Sequence, residues 1–207
     1  MDPEEIIAEA AEAEPHPDHD QFRNRAAMLI AVVAAVLAIG GLGGGNATDE
    51  MISANIHASD TWAFFQAKNV RQTAYEIAAE DLRQQIASGG MSAAGRAQAE
   101  KTLKGYESKI ARYDDEPDRA HPDDPTAGEG KKQLTARAQM FEAARTKAEA
   151  QDGNFDLAEV FLQLAIVLGS VSILSLNRRV LIGAAAAGGI GLILTLNGFF
   201  LLFPLPF

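Results

Sequence analysis

Cysteine is absent from the 207 residues, which excludes disulfides, thiolate catalysis and cysteine-ligated metals. Aromatic side chains are scarce, and the single tryptophan, Trp62, stands beside Phe64 and Phe65. Charge is missing altogether from residues 180–207, and residues 157–176 carry one ionisable group, Glu159. No lysine, arginine or histidine falls inside any of the long apolar runs. Pumps and coupled transporters usually need such groups, so that class is disfavoured. A basic surplus is lacking too. The formal net charge is −10, which argues against nucleic-acid binding and against a polybasic lipid switch.

What is present is apolar length. Residues 26–45, 157–176 and 180–203 each suit one membrane crossing, because a helix needs roughly 20 apolar residues to span a ~30 Å hydrocarbon core. The expected fold class is therefore all-α: an integral membrane protein with three transmembrane helices and a helical-hairpin or coiled-coil insertion between the first and second. The expected segments are an acidic disordered tail (1–22), span one (23–45), an extramembrane helical domain (46–155), span two (156–176), a short basic loop (177–179), span three (180–203) and a C-terminal end (204–207). Arg23 and Arg25 precede span one, and Arg178 and Arg179 lie between spans two and three. The positive-inside rule places both pairs in the cytoplasm. That orientation sends residues 46–155 to the periplasmic side of a bacterial inner (cytoplasmic) membrane.

Within the insertion, residues 48–87 are free of proline and glycine and read as a helix. Ala63, Ala67, Val70, Ala74 and Ile77 recur at spacings of four and three, the pattern of a coiled-coil seam. Ser88-Gly89-Gly90 breaks that helix, and Ser92 caps a second one whose face is Ala99, Leu103, Tyr106, Ile110 and Tyr113. Prolines, glycines and acids make residues 114–130 a solvated loop. A third helix follows with Leu134, Ala138 and Phe141 on one face, and Asp152-Gly153-Asn154 interrupts it before span two. The glycine run at 40–45 serves either close helix approach or a flexible exit from the bilayer.

Candidate site residues fall into two groups. Trp62, Phe64, Phe65, Ala63, Ala67, Val70, Ala74 and Ile77 are candidates for assembly and packing, together with the small-residue track Gly183, Ala187, Gly191 and Thr195. Glu159, Gln163, Ser170 and Asn197 are candidates for polar contacts within the membrane or for lining a pore. His16 and His19 with Asp18 and Asp20 offer metal-binding atoms, but solvated tail residues are the simpler reading. No Ser-His-Asp set, metal-ligand spacing or nucleotide loop is present, so no catalytic residue, metal or cofactor is expected.

Two stretches carry a family resemblance: ASDTWAFFQAK at 58–68 and FLQLAIVLGSVSIL at 161–174. On these the chain resembles an uncharacterised bacterial three-span membrane family known as domain of unknown function 4337, over roughly residues 25–202. The resemblance implies three spans with a helical insertion and brings no activity with it. The function expected is non-enzymatic: self-assembly into a homo-oligomer, or service as a scaffold or accessory subunit of a larger complex in the lipid bilayer. The alternative is a small oligomeric ion channel whose pore is lined by Gln163, Ser170 and Asn197.

Overall fold

A computed structural model describes residues 17–205. Residues 1–16 of the expected acidic tail, His16 among them, and residues 206–207 lie outside the described residues. Four helices account for most of the rest: α1 (Pro17–Ala87), α2 (Ala93–Asp114), α3 (Lys131–Ser175) and α4 (Arg178–Phe200). The chain is all-α, and α1, α3 and α4 are each long and apolar enough to cross a membrane. Its contacts divide into two compact units, Met1–Asp49 with Ala148–Phe207, and Glu50–Lys147. These are called the span unit and the middle unit below. Their borders fall near residues 49 and 148.

The expected interruption at Asp152, Gly153 and Asn154 does not occur, and these residues stay helical within α3. Residues 40–45 stay helical within α1, which favours close helix approach over a flexible exit. A helical glycine costs up to ~1 kcal/mol against alanine, but here absent side chains make room for neighbours. A Cβ on Gly43 would lie 2.5 Å from Phe155 Cζ and 2.9 Å from Phe199 Cζ. In an apolar medium an open backbone break leaves unsatisfied amides, which costs more than the glycines do.

The span unit is packed around small residues. Ala158, Leu162 and Ala165 of α3 meet Val33 of α1 and Ala187 and Leu194 of α4 in one buried cluster. Gly191 accepts Leu162 so closely that a Cβ there would sit 2.6 Å from Leu162 Cγ. Gly169 faces Ile30 in the same manner. The track from Gly183 to Gly191 is thus met by Leu168 and Leu162 of α3 of the same chain, while Thr195 at its end faces Gly40 of α1. Leu201, in the left-handed region at φ 48°, ends α4 and turns the chain back over it.

In the middle unit, α2 and the first part of α3 both run antiparallel to α1. Arg83 pairs with Glu107, and Tyr75 touches Tyr106 and Tyr113, which fixes α2 against α1. Lys131 meets Asn69, and Arg145 meets Asn55, which fixes α3. Three successive helices are thus one rise and one two-part descent, with residues 115–130 as a sidestep between the parts. The cap at Ser92 forms as expected, its Oγ accepting from Gly95 N at 3.2 Å. Ala99, Leu103, Tyr106, Ile110 and Tyr113 make up the inward face of α2, and Leu134, Ala138 and Phe141 that of α3.

The face of α1 that packs within the chain is a different one from the Ala63–Ile77 seam. In the middle unit Ala54, Ala58, Thr61, Lys68, Gln72 and Ala79 are buried, with Phe65 and Tyr75 half-buried. These eight positions follow a strict four-three rhythm. Ala63, Ala67, Val70, Ala74 and Ile77 lie two residues out of phase, about 200° round the helix, and all five are exposed. The same seven-residue phase holds in the span unit at Ala26, Val33, Gly40 and Ala47.

Candidate functional site

The aromatic cluster and the polar node beside it come from the stretch at 58–68. Trp62 is half-buried; its Nε1 donates to Glu142 Oε1 at 2.8 Å, and its ring meets Phe65 edge-on at 5.4 Å. Phe64 is 40% exposed and lies under the Lys68 ammonium, 5.2 Å from ring centre to nitrogen. Asp60 and Lys68 do not pair. Lys68 is instead 4% exposed at a position where a coiled-coil core holds an apolar residue. Its Nζ lies 3.2 Å from Glu129 Oε2 and 3.5 Å from Glu116 Oε2, with the Tyr113 ring on another side. A buried cation is tolerated only when paired, and both its carboxylates come from the acidic loop.

That loop is ordered rather than merely solvated. Pro117 and Gly128 form an isolated antiparallel bridge, with Gly128 at φ 125°, where a side chain would strike the Glu116 carbonyl. Arg137 of α3 donates to Thr126 O at 2.9 and 2.6 Å and to Gly128 O at 2.8 Å. Gln133 accepts from Glu116 N and donates to Asp115 Oδ1, while Lys132 bonds Asp115 Oδ2 at 2.9 Å. The bonds from Gln133 and then Lys132 hold the Asp115 carboxyl below the usual carboxylate range, and Asp115 in turn raises Lys132. Thr126 lowers Asp124 in the same way, and the Tyr75 hydroxyl raises Lys109. Gln72, one helical turn beyond Lys68, has a buried Oε1 with no hydrogen-bond partner among the described residues. The node is chemically a latch: it sets the register of α1 against the loop and α3, and it presents no reactive pair.

The polar residues of the spans separate into two sets. Asn197 is fully buried. Its Nδ2 donates to Asn154 Oδ1 at 2.7 Å and to Phe203 O at 3.0 Å, and its Oδ1 accepts from Phe203 N at 3.0 Å. Every polar atom of that amide is engaged within the chain, leaving nothing to line a pore. Glu159, Gln163 and Ser170 are instead exposed on the outer face of α3. Gln163 Nε2 donates to Glu159 Oε1 at 2.7 Å, and the Ser170 hydroxyl folds back to Ile166 O at 2.9 Å. Near the start of this stretch the Thr48 hydroxyl lies 2.8 Å from Asp152 Oδ1 and 3.1 Å from Gly44 O, and donates to one of them at a time.

Among the described residues no group of three or more His, Asp or Glu side chains is arranged to hold a metal ion. Asn154, Phe155, Gln72, Glu116 and Glu129 were not singled out from sequence. Only the first carried a usable signal, a polar residue followed by an apolar run.

The chain matches the family described as "Domain of unknown function (DUF4337)" over residues 22–201. It belongs to that family. No match was found among curated proteins or among solved structures. Membership leaves activity open, so function in this DUF4337 protein has to be argued from its surfaces.

Proposed function

We propose that this DUF4337 protein is a non-enzymatic membrane protein that self-assembles, forming a homo-oligomeric scaffold in a bacterial inner membrane. The observation that carries the reading is the exposed Glu159–Gln163 pair on the outer face of an apolar helix. A carboxylate and a carboxamide facing hydrocarbon cost several kcal/mol unless covered. A second copy covers them well: Gln163 has one remaining N–H and a carbonyl, Glu159 has a second oxygen, and the two complement each other across a two-fold axis. The middle unit supports the same reading, since Ile52, Ile56, Val70 and Ile77 are each exposed by half or more. The coiled-coil pairing expected for Ala63, Ala67, Val70, Ala74 and Ile77 is then a pairing between copies. The four arginines Arg23, Arg25, Arg178 and Arg179 support a cytoplasmic N-terminus, with residues 46–155 as a helical insertion on the periplasmic side.

The mass of the protein in lipid nanodiscs tests this. The parent chain is expected as a closed homo-oligomer, and the double variant Glu159→Leu with Gln163→Leu as smaller species. A parent that is monomeric at all concentrations defeats the reading, and a fixed ratio to another membrane protein makes it an accessory subunit. An ion channel is the second reading, favoured by the alignment of Glu159, Gln163 and Ser170 on one exposed face. It requires conductance in planar bilayers that the same double variant abolishes while the oligomer persists.

A further inference from the structure

At one end of the span unit, the first turns of α1 and α4 enclose a cleft of about 260 Å³ lined by Asp18, Gln21, Phe22, Arg25, Arg178 and Leu181. Arg25 and Arg178 are 153 residues apart in the chain, yet the fold brings them to one opening. Neither forms an ion pair or side-chain hydrogen bond among the described residues, whereas the arginines at 83, 96, 112 and 137 all do. Asp18 sits on the same rim, so two guanidinium groups and one carboxylate leave the cleft one positive charge in surplus. Arg23 and Arg179 are close in sequence but are not among its lining residues.

The cleft is amphipathic. Phe22 and Leu181 are half-buried walls, and one turn beyond them on each helix Ala26 and Ala184 are at 0% exposure. One turn past each arginine an exposed apolar side chain follows, Met28 at 70% and Ile182 at 61%. An anion held between Arg25 and Arg178 therefore has an apolar track running away from it along the helix surface. A free inorganic anion has no use for that track; a ligand with a phosphate head and acyl tails uses both parts. Arginine is the side chain suited to phosphate oxygens, which its planar fork of donors meets two at a time.

We propose that the Arg25–Arg178 cleft is a binding site for the phosphate headgroup of an anionic phospholipid. The site rests on α1 and α4 crossing a bilayer, though not on self-assembly.

Native mass spectrometry of the full chain, released from vesicles of phosphatidylcholine with one-fifth phosphatidylglycerol, reads the number of retained anionic lipids. The parent is expected to retain phosphatidylglycerol in preference to phosphatidylcholine. With about a tenfold effect for each charge-assisted contact to phosphate, Arg25→Gln with Arg178→Gln is expected to weaken retention about a hundredfold. The paired control Arg23→Gln with Arg179→Gln removes the same charge outside the cleft and should leave most of it. Equal loss in both pairs means general surface charge and overturns the site. Displacement of the lipid by millimolar inorganic phosphate, with phosphate retained in its place, means a free-anion site and overturns the lipid assignment. A parent that floats with phosphatidylcholine vesicles, resists alkaline extraction and retains no anionic lipid overturns the proposal while leaving membrane insertion standing. A parent that does not insert defeats both.

Discussion

The two units bury the same helix in the same seven-residue phase, but only the middle unit buries large polar side chains there. At that phase α1 buries Ala26, Val33, Gly40 and Ala47 in the span unit, and Ala54, Thr61, Lys68 and the half-buried Tyr75 in the middle unit, where Ala58, Gln72 and Ala79 are buried as well. Within the span unit, cohesion comes from how closely backbones approach, since hydrocarbon offers no hydrophobic gain for helix association. Within the middle unit, the interior tolerates a lysine and a glutamine because loop carboxylates and ring faces surround the charge. Large apolar residues are instead left outside, at Ile52, Ile56, Val70 and Ile77. One unit is sensitive to volume and the other to charge, and substitutions should separate them.

The largest effect is expected from volume in the span unit. Gly191→Ala puts a methyl 2.6 Å from Leu162 Cγ and 3.2 Å from the Ala158 carbonyl. Overpacking of this kind costs about 1–3 kcal/mol, and the backbone contact argues for the upper end. Gly189→Ala, with nothing within 4 Å of the new methyl, should be neutral or slightly stabilising through helix propensity. Unfolding by denaturing detergent, followed by circular dichroism, compares the two. Equal behaviour would mean that close approach at Gly191 does not hold the bundle.

Asn197→Leu comes next. It removes three hydrogen bonds, two to Phe203 and one to Asn154. At about 0.6 kcal/mol for each in a membrane protein, the loss is about 2 kcal/mol. Residues 201–205 should then become cleavable by carboxypeptidase, which mass spectrometry detects. Lys68→Ala should cost about 1–2 kcal/mol, less than a fully buried pair, because its partners Glu116 and Glu129 are 31% and 68% exposed and solvent screens them. Lys68→Met keeps the stem and should cost less than Lys68→Ala. Trp62 is the only tryptophan and lies in the middle unit, so its fluorescence reports this change without interference from the span unit.

How much of this was legible follows from which residues carry the packing. The α2 face was readable because Leu103, Tyr106, Ile110 and Tyr113 are large and lie at helical spacing. The track through Gly183, Ala187 and Gly191 was readable as a packing face, though its occupant is α3 of the same chain. The face of α1 that packs within the chain lies two residues out of phase with the seam read from the sequence. Ala63, Val70 and Ile77 look like a core, whereas Thr61, Lys68 and Gln72 look like a surface until the loop carboxylates are placed beside them. The glycines at 40–45 and the Asp-Gly-Asn at 152–154 are break signals in water, and the rule fails where the alternative is an unpaired backbone in an apolar medium. The Glu159–Gln163 bond was legible from i, i+4 spacing alone. The Asn154–Asn197 bond was not, because 43 residues separate its partners.

The smallest expected effect is that of pH, and it should touch only one unit. Asp115 and Asp124 are held below the ordinary carboxylate value, ~3.9 in the unfolded chain. Groups lowered on folding contribute stability that is present above the unfolded value and lost as pH falls through the folded one. Lys132 and Lys109 are held above their ordinary value of ~10.4, so their contribution is present below it and lost as pH rises through the folded value. All four are solvent-exposed, and all lie in the middle unit. The midpoint of a Trp62 fluorescence melt should therefore stay level from about pH 5 to 9 and fall on either side. Asp115→Asn should flatten part of the acid limb, leaving the share of Asp124, and part of the alkaline one, since it also removes the partner that raises Lys132 and leaves Lys109 untouched. An acid limb unchanged by Asp115→Asn would mean that the loop latch depends on Lys68 and its two glutamates alone, and that the order of residues 115–130 does not follow from the charges at its edge.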